Sequence, residues 1–144
     1  MTHDVHRLAR HRVRHRHRRR RGDVRHGVDI VNYDLRKPCV TCPFRSDVPP
    51  FITAGRAAGI LAGGAGFACH KTVDYDDDTG DGMVTRKSQH CAGVLIILEK
   101  ENRPHQMMRI CERLGFYDPS KLDMAAPVYG SIRAAIRAHR NLRR

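Results

Sequence analysis

Four cysteines constrain this chain more than any other feature: a Cys39-x-x-Cys42 pair, then Cys69, then Cys91, with 2, 26 and 21 residues between successive members. A chain of 144 residues makes one domain plus tails, and small domains bury a low fraction of their surface. With no Trp and only 6% aromatic residues, the core is small, and a covalent or metal staple would do much to hold it. The total of five cysteines is odd, and the cationic N-terminus is not followed by the apolar segment of a secretory signal. The most hydrophobic stretch, Val94–Leu98, is far shorter than the roughly 20 residues of a membrane span. These features predict a cytoplasmic protein without membrane contact. In a reducing compartment, spaced cysteines point to metal or redox chemistry rather than structural disulfides.

The C-x-x-C spacing lets two thiolates face one ion from a single turn, and Pro38 and Pro43 restrict the backbone on either side. Alone the pair is a weak signal. Cys69 in Phe67-Ala68-Cys69-His70 and Cys91 in His90-Cys91-Ala92-Gly93 strengthen it, since each lies where a loop meets an expected element. The bland alternative is that both are small buried hydrophobes. Cys111 fits that description, because it shares an apolar helical stripe with Met107, Ile110 and Leu114. The predicted metal ligands are therefore Cys39, Cys42, Cys69 and Cys91, with His70 and His90 able to replace a thiolate or to hydrogen-bond a sulfur from behind. Zinc takes four cysteines, and so does an iron–sulfur cluster; the spacing matches neither a zinc ribbon nor a ferredoxin run, and zinc leads on base rate. A third possibility is a thiol-disulfide oxidoreductase using Cys39 and Cys42. Zinc deaminase chemistry, which shares Pro-Cys-x-x-Cys, is excluded because its proton-shuttling Glu must lie upstream and the first Glu here is Glu99.

The pattern Pro38-Cys39-x-x-Cys42-Pro43-Phe44-Arg45, then Phe67-x-Cys69-His70-Lys71, then Cys91-Ala92-Gly93 resembles a family of small bacterial and phage proteins of unknown function. The resemblance spans about Pro38 to Gly93. It implies the four cysteines as shared positions, with His70 and Gly93 beside them, and it implies no established activity.

The net charge of +12 is unevenly spread. Residues 1–27 carry +8, residues 131–144 carry +5, and the body between them carries −1. The Arg/His-rich segment 1–27 lacks the apolar residues that would order it, so it is expected to be a disordered tail. Either it is a polycation that attracts phosphates, or the start is misassigned and Val24 or Val28 is the true first residue. Arg133, Arg137, Arg140, Arg143 and Arg144 at the other end are candidate contacts for nucleic acid or an acidic protein, although an ordinary solvated arginine face accounts for them equally simply. No aromatic residues interleave with them to stack bases. The loop Asp74–Gly82 resembles a calcium loop, but Ser88 stands where a bidentate Glu is required, which leaves a solvated acidic loop.

Local signals place a short strand over Val28–Tyr33 and a helix from Thr53 to about Leu61 that stops at Gly63-Gly64. They place an extended segment at Phe67–His70 and a helix from Ser88 or Gln89 to about Asn102. A third helix enters through Pro104 and stops at Gly115, and a last one runs from about Pro127 to Asn141 with Val128, Ile132 and Ile136 inward. The expected fold is α+β and α-rich: a single metal-stapled domain over 28–144 behind a disordered tail. The function this predicts is a small, non-enzymatic metal-binding module.

Overall fold

The structure is a computed structural model and describes residues 31–63 and 66–142. The segment 1–27, the first half of the expected first strand, Gly64, Arg143 and Arg144 lie outside the described residues. The described part is a small α+β fold with four helices and a two-stranded sheet: α1 (Ala54–Ala62), β1 (Asp74–Tyr75), β2 (Gly82–Met83), α2 (Ala92–Lys100), α3 (Gln106–Arg113) and α4 (Ile132–Arg140). A 3₁₀ turn, Pro119–Lys121, joins α3 to the approach of α4.

The core is built round α2. Ala92 through Leu98 are all buried, on every side of the helix, so α2 is a central rod rather than an amphipathic surface helix. α1 packs on it and on α4. Helix α1 begins and ends as its sequence requires: the Arg56 amide donates to Thr53 Oγ1 at 3.2 Å, and Gly63 closes the other end. Gly115, with φ of 78°, ends α3 in the left-handed region expected of a stop residue.

Three local expectations are corrected. First, α2 starts at Ala92, not Ser88 or Gln89. Ser88 and Gln89 are committed elsewhere: Ser88 Oγ donates to Thr72 O at 2.9 Å, and the Gln89 amide donates to Thr72 Oγ1 at 2.9 Å. The Gln89–His90 backbone then bridges Asn32 in parallel and Ala68 antiparallel, which no helix can do. Second, α4 starts at Ile132 behind a Ser131 cap, whose Oγ accepts from the Ala134 amide at 3.0 Å. The residues before it pair with the chain after Cys42: Ser46 N–H donates to Pro127 O at 2.9 Å, and Val128 bridges Arg45. Val128 is buried from this extended segment rather than from a helix. Third, the packed line of α3 is Met108 and Cys111. Met107 and Ile110 are each 38% exposed and Leu114 is 64% exposed, so the stripe read from the sequence is turned by about one residue.

His139 ties the parts together. It is 1% exposed, with Nε2 3.0 Å from Pro43 O and Nδ1 3.1 Å from Ile52 O. A neutral imidazole has one N–H and an imidazolium two, so only the latter bonds both carbonyls at once. Either way, α4 is fastened to the residue that follows Cys42 and to the approach of α1.

Candidate metal centre

Three separate segments bring the cysteines together, each for a local reason. The Cys39–Cys42 knuckle closes on itself, the Cys42 amide donating to Cys39 O at 3.1 Å and the Arg45 amide to Cys42 O at 3.1 Å. Cys69 and Cys91 become neighbours because Ala68 and His90 pair. The Cys69 amide donates to Gln89 O at 2.7 Å, and the Cys91 amide to Phe67 O at 2.8 Å. Cys91 is the N-cap of α2, and the knuckle rests on the first turn of that helix. Contact there is close. A Cβ on Gly93 would stand 2.6 Å from Cys42 Sγ and 3.3 Å from Phe44 Cβ, so the absence of a side chain at 93 is what lets the knuckle seat.

The thiols meet in pairs. Cys42 Sγ and Cys91 Sγ are 3.5 Å apart and buried. That hydrogen bond lowers the pKa of Cys42 and raises that of Cys91 well above its ordinary value, so Cys42 is the readier of the two to ionise. Burial opposes the shift at Cys42 and reinforces it at Cys91, while the Phe44 amide and Arg45 guanidinium further favour a thiolate at Cys42. Cys39, the half-exposed member, is pushed up to about 11, by burial first and then by the neighbouring Cys69 and Cys42. Cys69 also lies close enough for its charge to raise Cys91. All five cysteines are free thiols. Among the described residues no group of three or more His, Cys, Asp or Glu side chains is placed so that it could hold a metal ion. What the fold provides is one thiol pair in contact, Cys42 and Cys91, with Cys39 and Cys69 near enough to bear on the ionisation of their neighbours. The Cys42–Cys91 sulfur separation, 3.5 Å, is near the roughly 3.8 Å edge of a tetrahedron with Zn–S bonds of about 2.3 Å.

The two histidines part company. His70 Nε2 is 2.9 Å from Thr41 Oγ1 and 3.8 Å from Cys39 Sγ, on the outer side of the knuckle, and burial followed by Lys71 lowers its pKa. His90 turns away from the sulfurs and stacks on Tyr33 with ring centroids 4.1 Å apart, its pKa lowered to about 4 by burial and then by His105. Its place in the bridge with Ala68 explains this, since successive strand residues point to opposite sides and Cys91 takes the inner one. Cys111 is buried beside Tyr33 and raises that phenol's pKa after burial does, apart from the other four cysteines. His139 was not legible as a site residue, because nothing in a lone His on an arginine-rich helix signals two carbonyl partners elsewhere in the chain.

The arginines of α4 lie on another surface. Arg133, Arg137 and Arg140 are exposed and line a cavity of about 530 Å³ with Arg103 and Glu101. Arg103 carries no sequence signal linking it to α4. No helix among the described residues is long and apolar enough to cross a membrane. The chain matches no protein-family model, no curated protein and no solved structure.

Proposed function

We propose that this chain is a small metal-binding module in which Cys39, Cys42, Cys69 and Cys91 hold one zinc ion that staples the fold, with no catalytic turnover. The observation that carries this reading is the close contact of Cys42 and Cys91, 3.5 Å apart at the N-terminus of α2, with Cys39 and Cys69 within electrostatic reach. A separation of 3.5 Å fits two thiolates on one metal ion, whether zinc or a single iron of a cluster, and zinc leads on base rate. A buried Cys42 already disposed to be a thiolate suits a ligand, because metals bind the deprotonated form. His70 then serves as an outer partner near Cys39 rather than as a ligand.

A thiol-disulfide oxidoreductase is the weaker reading. Such an enzyme needs an accessible thiol of lowered pKa. Here the accessible member of the pair, Cys39, is the one pushed up, and the one pushed down, Cys42, is 0% exposed.

Metal analysis of anaerobically purified protein tests the assignment. The expected result is a colourless protein with one zinc per chain, lost on Cys42→Ser or Cys91→Ser and retained on Cys111→Ser. Brown protein carrying iron and sulfide would replace zinc with a cluster. Metal-free protein whose four thiols all react with a thiol reagent in the folded state would end the metal reading.

A further inference from the structure

Away from the thiols, two shallow cavities of about 530 and 570 Å³ meet along α4. Arg103, Ile132 and Ile136 line both, so the two form one continuous groove. Its floor is apolar: Leu61 from α1, Leu98 from α2, and Ile132 and Ile136 one turn apart on α4. Its rim is cationic. Arg133, Arg137 and Arg140 stand at one end, Arg103 in the middle and Arg109 beyond, all exposed. The ion pairs found among the described residues use Lys37, Arg45 and Lys121 and none of these arginines. The only carboxylate lining the groove is Glu101.

We infer that this groove docks an acidic amphipathic helix from a partner protein. An apolar floor gains by being covered with apolar side chains, whereas a hydrated phosphate laid against it loses its water without compensation. No Phe, Tyr or Trp lines the groove to stack a base. Carboxylates flanking apolar anchors satisfy both features together, since guanidinium forks bind carboxylates in bidentate fashion. The length fits as well. Ile132 to Arg140 covers about 12 Å at roughly 1.5 Å per residue, room for about two turns of a helix laid along it with anchors at i and i+4. A second copy of this chain is a poor occupant, because no helix among the described residues is both acidic and amphipathic: α1 and α4 hold no acid, α2 holds only Glu99, and α3 only Glu112.

The test uses the full chain, metal content measured on the same sample, and a fluorescein-labelled model peptide with Leu at i, i+3, i+4 and i+7 and Glu between them. Comparison probes are the same peptide with every Leu replaced by Ser, and a short DNA duplex. Fluorescence anisotropy at low salt is expected to find the Leu/Glu peptide bound at least about tenfold more tightly than the Ser/Glu peptide. The exposed-site variant Arg133→Glu/Arg137→Glu, checked for unchanged circular dichroism, is expected to weaken the Leu/Glu peptide by at least about tenfold, which separates the groove from the cationic segment at residues 1–27. Equal binding of the two peptides, or no loss in the variant, overturns the proposal. So does a variant that loses more affinity for DNA than for peptide, since the groove would then be a nucleic-acid face. The metal content is read independently, so failure here is distinct from failure of the zinc assignment.

Discussion

Replacing Gly93 by alanine sets two opposed effects against each other. Gly93 is the second residue of α2, after the Cys91 cap and Ala92. Its backbone is not in the left-handed region, so alanine costs nothing there and should gain at most about 0.5–1 kcal/mol of helix propensity. Against that, the new Cβ would stand 2.6 Å from Cys42 Sγ, 3.3 Å from Phe44 Cβ and 3.6 Å from Pro38 Cβ, all in the knuckle packed against it. Phe44 is 0% exposed and cannot swing away, so the knuckle must lift, at an overpacking cost of about 1–3 kcal/mol. The net expectation is a loss of about 1–2 kcal/mol. Gly55 supplies a matched control: it too is the second residue of its helix, α1, and a Cβ there meets nothing within 4 Å. Gly55→Ala should therefore stabilise by up to about 0.5–1 kcal/mol, the opposite sign for the same chemical change. Urea titrations followed by circular dichroism measure both. Because Cys42 is what moves, under the proposed zinc assignment the affinity measured by chelator competition should also fall in Gly93→Ala, by about tenfold for each 1.4 kcal/mol expressed at the site. If Gly93→Ala proves as stabilising as Gly55→Ala, the knuckle does not rest on α2 as described.

Two further perturbations probe the supports of the site. His139→Phe keeps a ring but removes both ring nitrogens, leaving Pro43 O and Ile52 O without their partner; a loss of about 2–3 kcal/mol is expected in unfolding experiments, and a change under about 0.5 kcal/mol would mean that water or rearranged backbone replaces the ring. Tyr117 donates to Glu99 Oε1 at 2.8 Å, and burial, followed by that carboxylate, raises its phenol above the ordinary value near 10. A raised folded-state pKa makes a contribution that is full below about pH 10 and lost as the pH climbs past it, so stability should fall in alkali and fall less steeply in Tyr117→Phe. Parallel alkaline stability curves for the two proteins would remove Tyr117 from that role.

The parts of this fold that were legible in the sequence are those decided within a few residues. Thr53 and Gly63 bound α1, Gly115 stops α3, and the proline-bracketed Cys39–Cys42 turn closes by its own amides. The expected extended segment at Phe67–His70 appears as the Ala68 bridge. What misled was pairing between distant segments. Ser88 looks like a helix cap, yet its hydroxyl and the next backbone group are taken by Thr72, and Asn32 and Ala68 bind from either side. Pro127–Tyr129 looks like the first turn of a helix, but the chain after Cys42 claims its backbone. In α3, Met107 and Met108 are equally apolar, and only packing against the core decides that Met108 goes in. At the site, what the structure shows of the four-cysteine expectation is the contact of Cys42 with Cys91. The diverging roles of His70 and His90 were not legible, because strand alternation depends on which residue the bridge selects.

Helix α2 carries one more consequence. Gly93–Leu98 contains no charge and no proline, is rich in β-branched and leucine residues, and is buried on every side. Such a segment is harmless while enclosed and a template for cross-β association once released. The turn that leads into it is the one holding Cys91. For a chain whose Cys91 is held by an ion, depletion of that ion would do more than empty a ligand shell. It would loosen the entrance to the most aggregation-prone stretch of the molecule, and metal supply would then govern how much of the protein is lost to proteases and insoluble deposits.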